Sequence, residues 1–356
     1  MKHISFKKLL VSLMLGLGLF MVHPLIAQQK PMVLDVAEMK VPPGFKSTAA
    51  KIELGKKLYF DPRLSSTSTV SCNSCHNVMA GGDDSVQTSF GIKGLRGGRN
   101  APTVWNSGFH SVQFWDGRAQ TLEEQAKGPI TNPIEMGMKD HTVAVARLAK
   151  IPGYRVEFAQ VYGGKENDKK LVTIDRVADA IAAYERTLVT LNSPFDRFQK
   201  GDKAVISAEA AKGWQTFQKV GCTTCHSGAH FSGPQMPLGI GFYQKFPLIE
   251  DSEIDKKYEF TKDGGRFDVT KKDGDKNFWR VPTLRNVALT SPYFHNGAVT
   301  DLPEAVRIMG KTQLGKVLTK DEINSIVAFL ETLTGEFPKQ EMPQLPPYAK
   351  SSFANE

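Results

Sequence analysis

Two short segments combine the residue types that could do redox chemistry, since each has two thiols followed at once by an imidazole. Both read C-x-x-C-H, the sequence that attaches a c-type haem: the thiols add across the two vinyl groups of one porphyrin, and the histidine is placed to ligate the iron. The chain has four cysteines, and these segments contain all of them, which predicts two covalently bound haems. The first haem is expected on Cys72, Cys75 and His76, and the second on Cys222, Cys225 and His226.

Zinc sites and redox disulfides also use C-x-x-C pairs, and both alternatives fit less well. A zinc site usually joins its two pairs within about 15–20 residues, whereas Cys72 and Cys222 are 150 positions apart. A thioredoxin-like disulfide needs a βαβ context, which the pattern lacks. Neither alternative requires a histidine after each second cysteine.

The first 27 residues have the pattern of a secretory signal. Three lysines precede an apolar run from Leu9 to Val22, which is shorter than a membrane span of about 20 residues. Ala27 offers a small residue at the cut, and polar residues follow it. We therefore expect cleavage near residue 27 and export to the periplasm, with an uncleaved membrane anchor as the alternative.

The charge of the chain gives no reason to expect a nucleic-acid partner. Of the formal +8, three lysines belong to the signal, which leaves +5 for the remainder. Four haem propionates would bring that value close to zero, and no basic run is interleaved with aromatic residues. The remainder contains no other long apolar segment, so we expect no membrane span after cleavage.

The helical patterns around the two haem segments predict one small all-α unit used twice. A helix over 48–60 leads into the first segment and a helix over 207–219 leads into the second. An amphipathic helix closes each half, over 173–188 in the first and after the capping box Thr319-x-x-Glu322 in the second. This is the plan of a cytochrome c domain, so we expect an all-α protein of two such domains.

The same repeat sets the expected boundaries. Residues 28–190 would form the N-terminal domain and residues 191–336 the C-terminal domain. Residues 337–356, which are rich in proline, give no helix signal and are expected to pack back on the first domain. Segments 81–100 and 233–276 are expected to be long loops, which a haem makes tolerable because it supplies core that so small a domain lacks.

The residue opposite each histidine decides whether a haem carries electrons or reacts. Met309 comes 83 positions after His226, far enough to come round the porphyrin edge, and His/Met ligation raises the potential of the iron. Met236, ten positions after His226, is a weaker candidate. In the first half no methionine ligand is evident.

Four further motifs accompany the haem segments, and together they make nearly all of the mature chain resemble the bacterial di-haem cytochrome c peroxidase family. The motifs are Phe-Trp-Asp-Gly-Arg at 114–118, Asn-Pro-Ile-Glu-Met at 132–136, Val-Pro-Thr-Leu-Arg-Asn at 281–286 and Pro-Tyr-Phe-His-Asn-Gly at 292–297. The resemblance implies reduction of hydrogen peroxide to water with electrons from a small soluble protein, such as a cytochrome c or a cupredoxin. It also implies a homodimer.

The resemblance further assigns a role to each haem. The haem on His76 would be the low-potential site at which peroxide reacts. The haem on His226 and Met309 would store electrons at higher potential and relay them. Glu135 corresponds to the distal acid and base of the family, with Gln125 beside it; an apolar pocket would have to raise the pKa of Glu135 toward the working range.

Two features between the domains are implied as well. Trp115 matches the aromatic residue that lies between the haems of the family. Asn100, with the backbone carbonyls of Thr290 and Pro292, matches a calcium site, and hard oxygen ligands suit that ion.

One position departs from the family pattern. Many members carry a histidine in the loop after the first haem segment, and it caps the peroxidatic iron until the other haem is reduced. Ile92 stands at that place here, and isoleucine cannot ligate iron. We therefore predict that the oxidised first haem is five-coordinate or bears a water and that reductive activation is weak or absent, unless His110 substitutes as a ligand.

Two other functions stay open from the sequence. A di-haem electron carrier would have six ligands at both irons, whereas the first half shows no evident sixth ligand and contains Glu135 and Gln125. A MauG-like oxidase acting on a protein tryptophan would have a tyrosine as distal ligand of the second haem, and Met309 argues against it.

Overall fold

The computed structural model describes residues 32–348, so the expected signal and the last eight residues lie outside the described part. Within residues 32–348 the chain is mostly helical, with one short antiparallel sheet of strands β1 (Tyr243–Lys245) and β2 (Phe278–Arg280). The helices are α1 (Ala49–Phe60), α2 (Cys72–Cys75), α3 (Leu122–Thr131), α4 (His141–Ala149), α5 (Pro152–Tyr162), α6 (Ile174–Glu185), α7 (Pro194–Gln199), α8 (Ala208–Val220), α9 (Ser252–Tyr258), α10 (Phe267–Thr270), α11 (Leu302–Leu314) and α12 (Lys320–Glu331).

The helix before each haem segment packs against the closing helix of the same half, and the contact is made in the same way twice. In the first half α1 meets α6 at Gly55, where a Cβ would clash with the carbonyl of Ala180. In the second half α8 meets α12 at Gly213, where a Cβ would clash with the carbonyl of Ser325. Glycine is required because only a residue without a Cβ lets two backbones come so close. The four helices predicted from the sequence are confirmed as α1, α6, α8 and α12.

Local signals explain where these helices begin. The side chain of Thr48 accepts a hydrogen bond from the Lys51 N–H, and Ser207 caps α8 in the same manner. Thr319 and Glu322 form the expected capping box at the start of α12. Each half then has its own apolar core beside its haem segment, built around α1 and α6 in the first and around α8 and α12 in the second.

A second internal repeat, offset by 180 residues, precedes α3 and α11. Asn106 and Asn286 both adopt the left-handed backbone, with φ of 63° and 62°. Phe114 and Phe294 do so too, at 68° and 69°, which is uncommon for a bulky residue. The two halves therefore share a loop conformation as well as a helix pair, and α3 and α11 occupy equivalent places in the repeat.

The segment 233–276 differs from its prediction as a continuous loop. It contains β1, α9 and α10, and β1 pairs with β2 so that Gln244 lies opposite Trp279. The segment 81–100 does contain little regular structure, with one 3-10 turn at Ile92–Gly94. The sequence of 251–272 is rich in charged residues and gives no apolar periodicity for these short helices, because α9 buries two residues and α10 buries none.

The residues after Gly335 run over the first half. Arg63 donates to the Pro346 carbonyl at 2.8 Å, and the rings of Trp105 and Phe337 pack edge to face with centroids 4.8 Å apart. Tyr184 donates to the side chain of Gln340 at 3.0 Å. A search of residues 32–348 finds no helix that is both long and apolar enough to span a bilayer.

Candidate active site

A large cavity in the first half brings the first haem segment together with the residues expected on its distal side. Cys72, Cys75, His76, Gln125 and Glu135 all line it, and it encloses about 1670 Å3 including its open mouth. All four cysteines are free thiols, available for thioether bonds. Among residues 32–348 no three His, Cys, Asp or Glu side chains are grouped to hold a metal ion. The cavity and its donors therefore fit a haem, and they do not fit the zinc alternative.

The backbone around the first histidine fixes its ring. His76 Nδ1 lies 2.9 Å from the carbonyl oxygen of Pro102, which can only accept a hydrogen bond. Nδ1 therefore carries the proton, and Nε2 is left with a lone pair for an iron. Burial lowers the pKa of His76 below its ordinary value, so the ring is neutral at neutral pH. The phenol of Tyr59, which is fully buried, donates to the His76 carbonyl at 2.6 Å and holds the segment in place.

The distal carboxylate stands on a turn directly after α3. Asn132 ends the helix, and its side-chain amide donates to Glu135 Oε1 at 3.0 Å. Burial raises the pKa of Glu135 above its ordinary value, although the positive charge of Arg118 opposes the rise. Gln125 lies on α3 and lines the same cavity. Arg118, which precedes α3, lines this cavity too. The arrangement combines one carboxyl of raised pKa with an amide that can donate or accept hydrogen bonds.

Met136 also borders this cavity, beside Glu135. No methionine ligand is evident from the sequence of the first half, where Met136 stands in the Asn-Pro-Ile-Glu-Met motif. Its side chain is 3 % exposed and belongs to the apolar core, and its carbonyl accepts from the Ser66 N–H at 2.7 Å. The Met136 side chain therefore packs in the apolar core and also borders the cavity, so ligation of an iron by its sulfur is a testable alternative.

Ile92 is absent from the residues that line the cavity. Its side chain is 6 % exposed and sits in the core, against Gly137. Its backbone N–H donates to the Glu135 carbonyl at 2.9 Å, and the adjoining Gly91 approaches the Ile134 carbonyl too closely for any Cβ. The loop after the first haem segment is therefore fastened to the turn that carries Glu135.

His110 is buried, with 8 % of its surface exposed, and it lines both large cavities. Arg280 Nη1 is 2.8 Å from its Nδ1, and the ring of His230 packs at a centroid distance of 4.5 Å. Ligation of an iron by His110 would break these contacts.

The second cavity is equally large, about 1590 Å3 including its mouth, and more apolar. Cys222, Cys225 and His226 line it together with Met309, which α11 carries. His226 Nδ1 lies 3.0 Å from the Phe231 carbonyl, so its Nε2 is also left for an iron. Burial lowers the pKa of His226, as it does for the first histidine. Met236, the weaker candidate, lines a different and smaller cavity.

Trp115 lines both large cavities. Its indole N–H donates to the backbone carbonyl of Asn100 at 2.9 Å, and its own carbonyl accepts from the Arg280 N–H at 2.8 Å. These two hydrogen bonds hold Trp115 between Asn100 of the first half and Arg280 of the second.

The three residues expected to hold calcium all line the second cavity. Asn100 Nδ2 donates to the Val86 carbonyl at 3.1 Å, which leaves Oδ1 as its acceptor. Nearby, a Cβ on Gly81 would touch both the Leu289 carbonyl and Asp83 Oδ1, so Asp83 lies beside the segment that carries Thr290 and Pro292. Asp83 is 1 % exposed, and neither of its oxygens has a hydrogen-bond partner among residues 32–348. An unpaired buried carboxylate among carbonyls fits a cation.

Several residues of the site escaped the sequence analysis. Tyr59, Pro102 and Phe231 act through contacts with the histidines that no local pattern reveals. Asn132 and Arg118 could have been found, because each stands in a motif already noted. An Asn-Pro pair signals a turn, and that turn presents Glu135.

Several known proteins are similar to this chain over most of its length. Residues 49–204 match the family described as di-haem cytochrome c peroxidase. The chain is 47 % identical over 297 residues to a cytochrome c551 peroxidase of Nitrosomonas europaea, covering 83 % of each chain. It is 45 % identical over 317 residues to a cytochrome c551 peroxidase of Pseudomonas aeruginosa, covering 89 % of this chain and 87 % of the relative. A solved MauG-like protein associated with microbial copper homeostasis superposes with a TM-score of 0.74 at 28 % identity, covering 87 % of this chain and 95 % of that one. The chain belongs to the di-haem cytochrome c peroxidase family.

Proposed function

We propose that the protein reduces hydrogen peroxide to water at a haem in the first cavity, with electrons relayed through a haem in the second. The observation that carries the proposal is that Glu135 and Gln125 line the cavity of the first haem segment. When bound, the haem supplies an iron that takes up peroxide and transfers electrons to it. Relatives 47 % and 45 % identical are named as peroxidases of this kind.

Glu135 performs the proton transfers. It accepts the proton that peroxide loses on binding and returns it to the far oxygen, which leaves as water. A carboxyl with an ordinary pKa of about 4.3 returns a proton poorly at neutral pH, and burial raises the pKa of this one. Asn132 holds Glu135 at 3.0 Å. Gln125 has no basic group and orients peroxide or water.

The second cavity supports an electron relay. His226 and Met309 would hold the iron of its haem, and a thioether ligand would raise the potential of that iron. Trp115, which lines both cavities, would couple the two haems. In this proposal each haem is covalently held in its own cytochrome c-like domain, over 28–190 and 191–336.

The remaining parts of the proposal follow from the family and from the N-terminal pattern. Cleavage of residues 1–27 would deliver the chain to the periplasm, where a small cytochrome c or cupredoxin would donate electrons. The mature enzyme would be a homodimer. Asn100 and the carbonyls of Thr290 and Pro292 would bind calcium, with Asp83 balancing its charge.

The burial of Ile92 in the core supports a first haem that is open in the oxidised enzyme. The test is peroxide turnover with a reduced cytochrome c, measured in parallel on fully oxidised and half-reduced enzyme. Equal rates would support a permanently open site. Turnover only after half-reduction would keep the peroxidase and show that another ligand, such as His110, closes the site.

A di-haem electron carrier is the second candidate, because Met136 borders the first cavity. It predicts no peroxide turnover in either form and a methionine-ligated, low-spin signal from both haems. A signal of this kind from the second haem alone, together with turnover, would exclude the carrier.

A further inference from the structure

Two buried histidines pack against each other between the haem cavities, and neither has a role in the mechanism above. His110 and His230 are each 8 % exposed, with ring centroids 4.5 Å apart. His230 Nδ1 lies 3.1 Å from the hydroxyl of Ser232. Its Nε2 is buried and has no hydrogen-bond partner among the described residues. A buried polar nitrogen of this kind is normally satisfied by an ordered water.

A third, small cavity supplies room for such water, and we call it the histidine channel. Its inner wall is formed by His110, His230 and Arg280, and its outer wall includes Ser111 and the exposed Gln235. It has about 50 Å3 of space in which the centre of a water molecule fits, enough for about three to five waters. The channel therefore leads from the surface to the buried histidine pair.

The inner end of the channel adjoins the site of peroxide reduction. His110 and Arg280 line the channel and also line both haem cavities. Arg280 Nη1 lies 2.8 Å from His110 Nδ1 and 3.1 Å from its Nε2. Because a guanidinium only donates hydrogen bonds, Arg280 positions the ring and does not itself pass a proton. The imidazole of His110, which borders both the channel and the first cavity, is the group that connects them.

The charges around the pair keep both rings neutral. Burial lowers the pKa of His110 well below its ordinary value, and the positive charge of Arg280 adds to the effect. Burial acts in the same way on the pKa of His230, helped by Arg285 and Arg280. Glu38 and Lys40 stand farther out, in the channel wall. A neutral imidazole has one donor and one acceptor nitrogen, so it can take a proton on one side and release one on the other.

We propose that the histidine channel conducts protons from solvent, through His230 and His110, to the cavity in which peroxide is reduced. The inference rests on the proposed peroxidase function. Reduction of one hydrogen peroxide to two waters takes up two electrons and two protons. The electrons arrive through the second haem, and Glu135 only moves a proton that peroxide already carries. Both additional protons must therefore enter from outside, and the channel offers a polar route for them.

The test uses the haem-loaded enzyme and its variants His110→Asn, His230→Asn and Ser111→Leu. The first two remove an imidazole and keep a polar side chain, and the third fills the outer part of the channel while both histidines stay. His141→Asn is the control, because that histidine lies on α4 and contacts the Lys127 carbonyl, outside all three cavities. Proton uptake is followed with a pH-indicator dye when two-electron-reduced enzyme is mixed with peroxide, and turnover is compared in H2O and D2O.

We expect each of the three channel variants to slow proton uptake at least fivefold and to raise the solvent isotope effect on turnover. Haem content and the spectrum of the Met309-ligated haem should stay unchanged, and the control should behave as wild type. Wild-type rates of uptake in all three channel variants, with full haem content, would overturn the channel and leave the peroxidase intact. A wild-type enzyme that consumes no peroxide would instead refute the function on which the channel rests.

Discussion

Replacement of Ile92 by histidine should close the first haem in the oxidised enzyme. The wild-type side chain is 6 % exposed and packs in the core against Gly137. Burial of an isoleucine stabilises this position by about 1.5–3 kcal/mol. A histidine cannot replace that contribution, because its ring nitrogens would be buried without partners.

The cost of keeping the imidazole in the core sets the outcome. An unpaired ring nitrogen disfavours the buried imidazole by about 1–3 kcal/mol, whereas the isoleucine contact is missing whether the loop is packed or released. Release of the loop sacrifices the hydrogen bond from residue 92 to the Glu135 carbonyl, which is 2.9 Å long and is worth about 1 kcal/mol. The balance of up to about 2 kcal/mol favours a released loop whose imidazole is free to ligate iron.

Electron paramagnetic resonance of the oxidised variant Ile92→His should then show a low-spin bis-histidine haem, and peroxide turnover should rise at least tenfold after half-reduction. A high-spin first haem with equal activity in both forms would refute the reasoning about loop release. Ile92→Val, which costs about 0.5–1.5 kcal/mol, should keep wild-type behaviour. Ile92→Asn should free the loop without any low-spin signal, which separates loop release from ligation.

Four further outcomes are expected. Glu135→Gln should lower kcat/KM for peroxide about 10²- to 10⁴-fold. In the wild type, the rate should fall as the pH drops through the raised pKa of Glu135, because the protonated carboxyl cannot act as a base. Met309→Leu should remove the methionine-ligation band of the reduced spectrum and lower the potential of the second haem in a redox titration. Asp83→Asn should weaken calcium binding in a chelator competition, whereas exposed Asp268→Asn should not. Pro129→Met should add a second methionine-ligated haem signal if α3 is equivalent to α11.

The parts of the fold that the sequence predicts are those with local signals. Thr48, Ser207 and the Thr319–Glu322 box fix where three helices begin, because a side chain caps backbone N–H groups only two or three residues away. The apolar faces of the closing helices are equally local, since residues three and four apart share one side of a helix. The haem segments are visible for the same reason.

The contacts that complete the site have no such signal. Tyr59 reaches the His76 carbonyl from the preceding helix, and Arg280 meets His110 across 170 positions of chain. The burial of Ile92 against Gly137 could not be predicted either, because one isoleucine in a glycine-rich loop has no periodicity. Such contacts depend on how the elements pack, which short-range patterns do not determine.

The offset of 180 residues between the two loop repeats allows the two cavities to be compared position by position. In that register Met309 of α11 corresponds to Pro129 of α3, and each lines its own haem cavity. Proline has no group that ligates iron. The helix α3 ends at Thr131 after ten residues, because Pro133 disfavours the helical conformation of Asn132 before it, whereas α11 runs for thirteen residues. The chain turns at Asn132 and brings Glu135 to the cavity wall. In the proposed function, the first half therefore has no counterpart of the Met309 ligand at this position of the repeat, and Glu135, six positions later, would serve as the acid–base residue of an open haem.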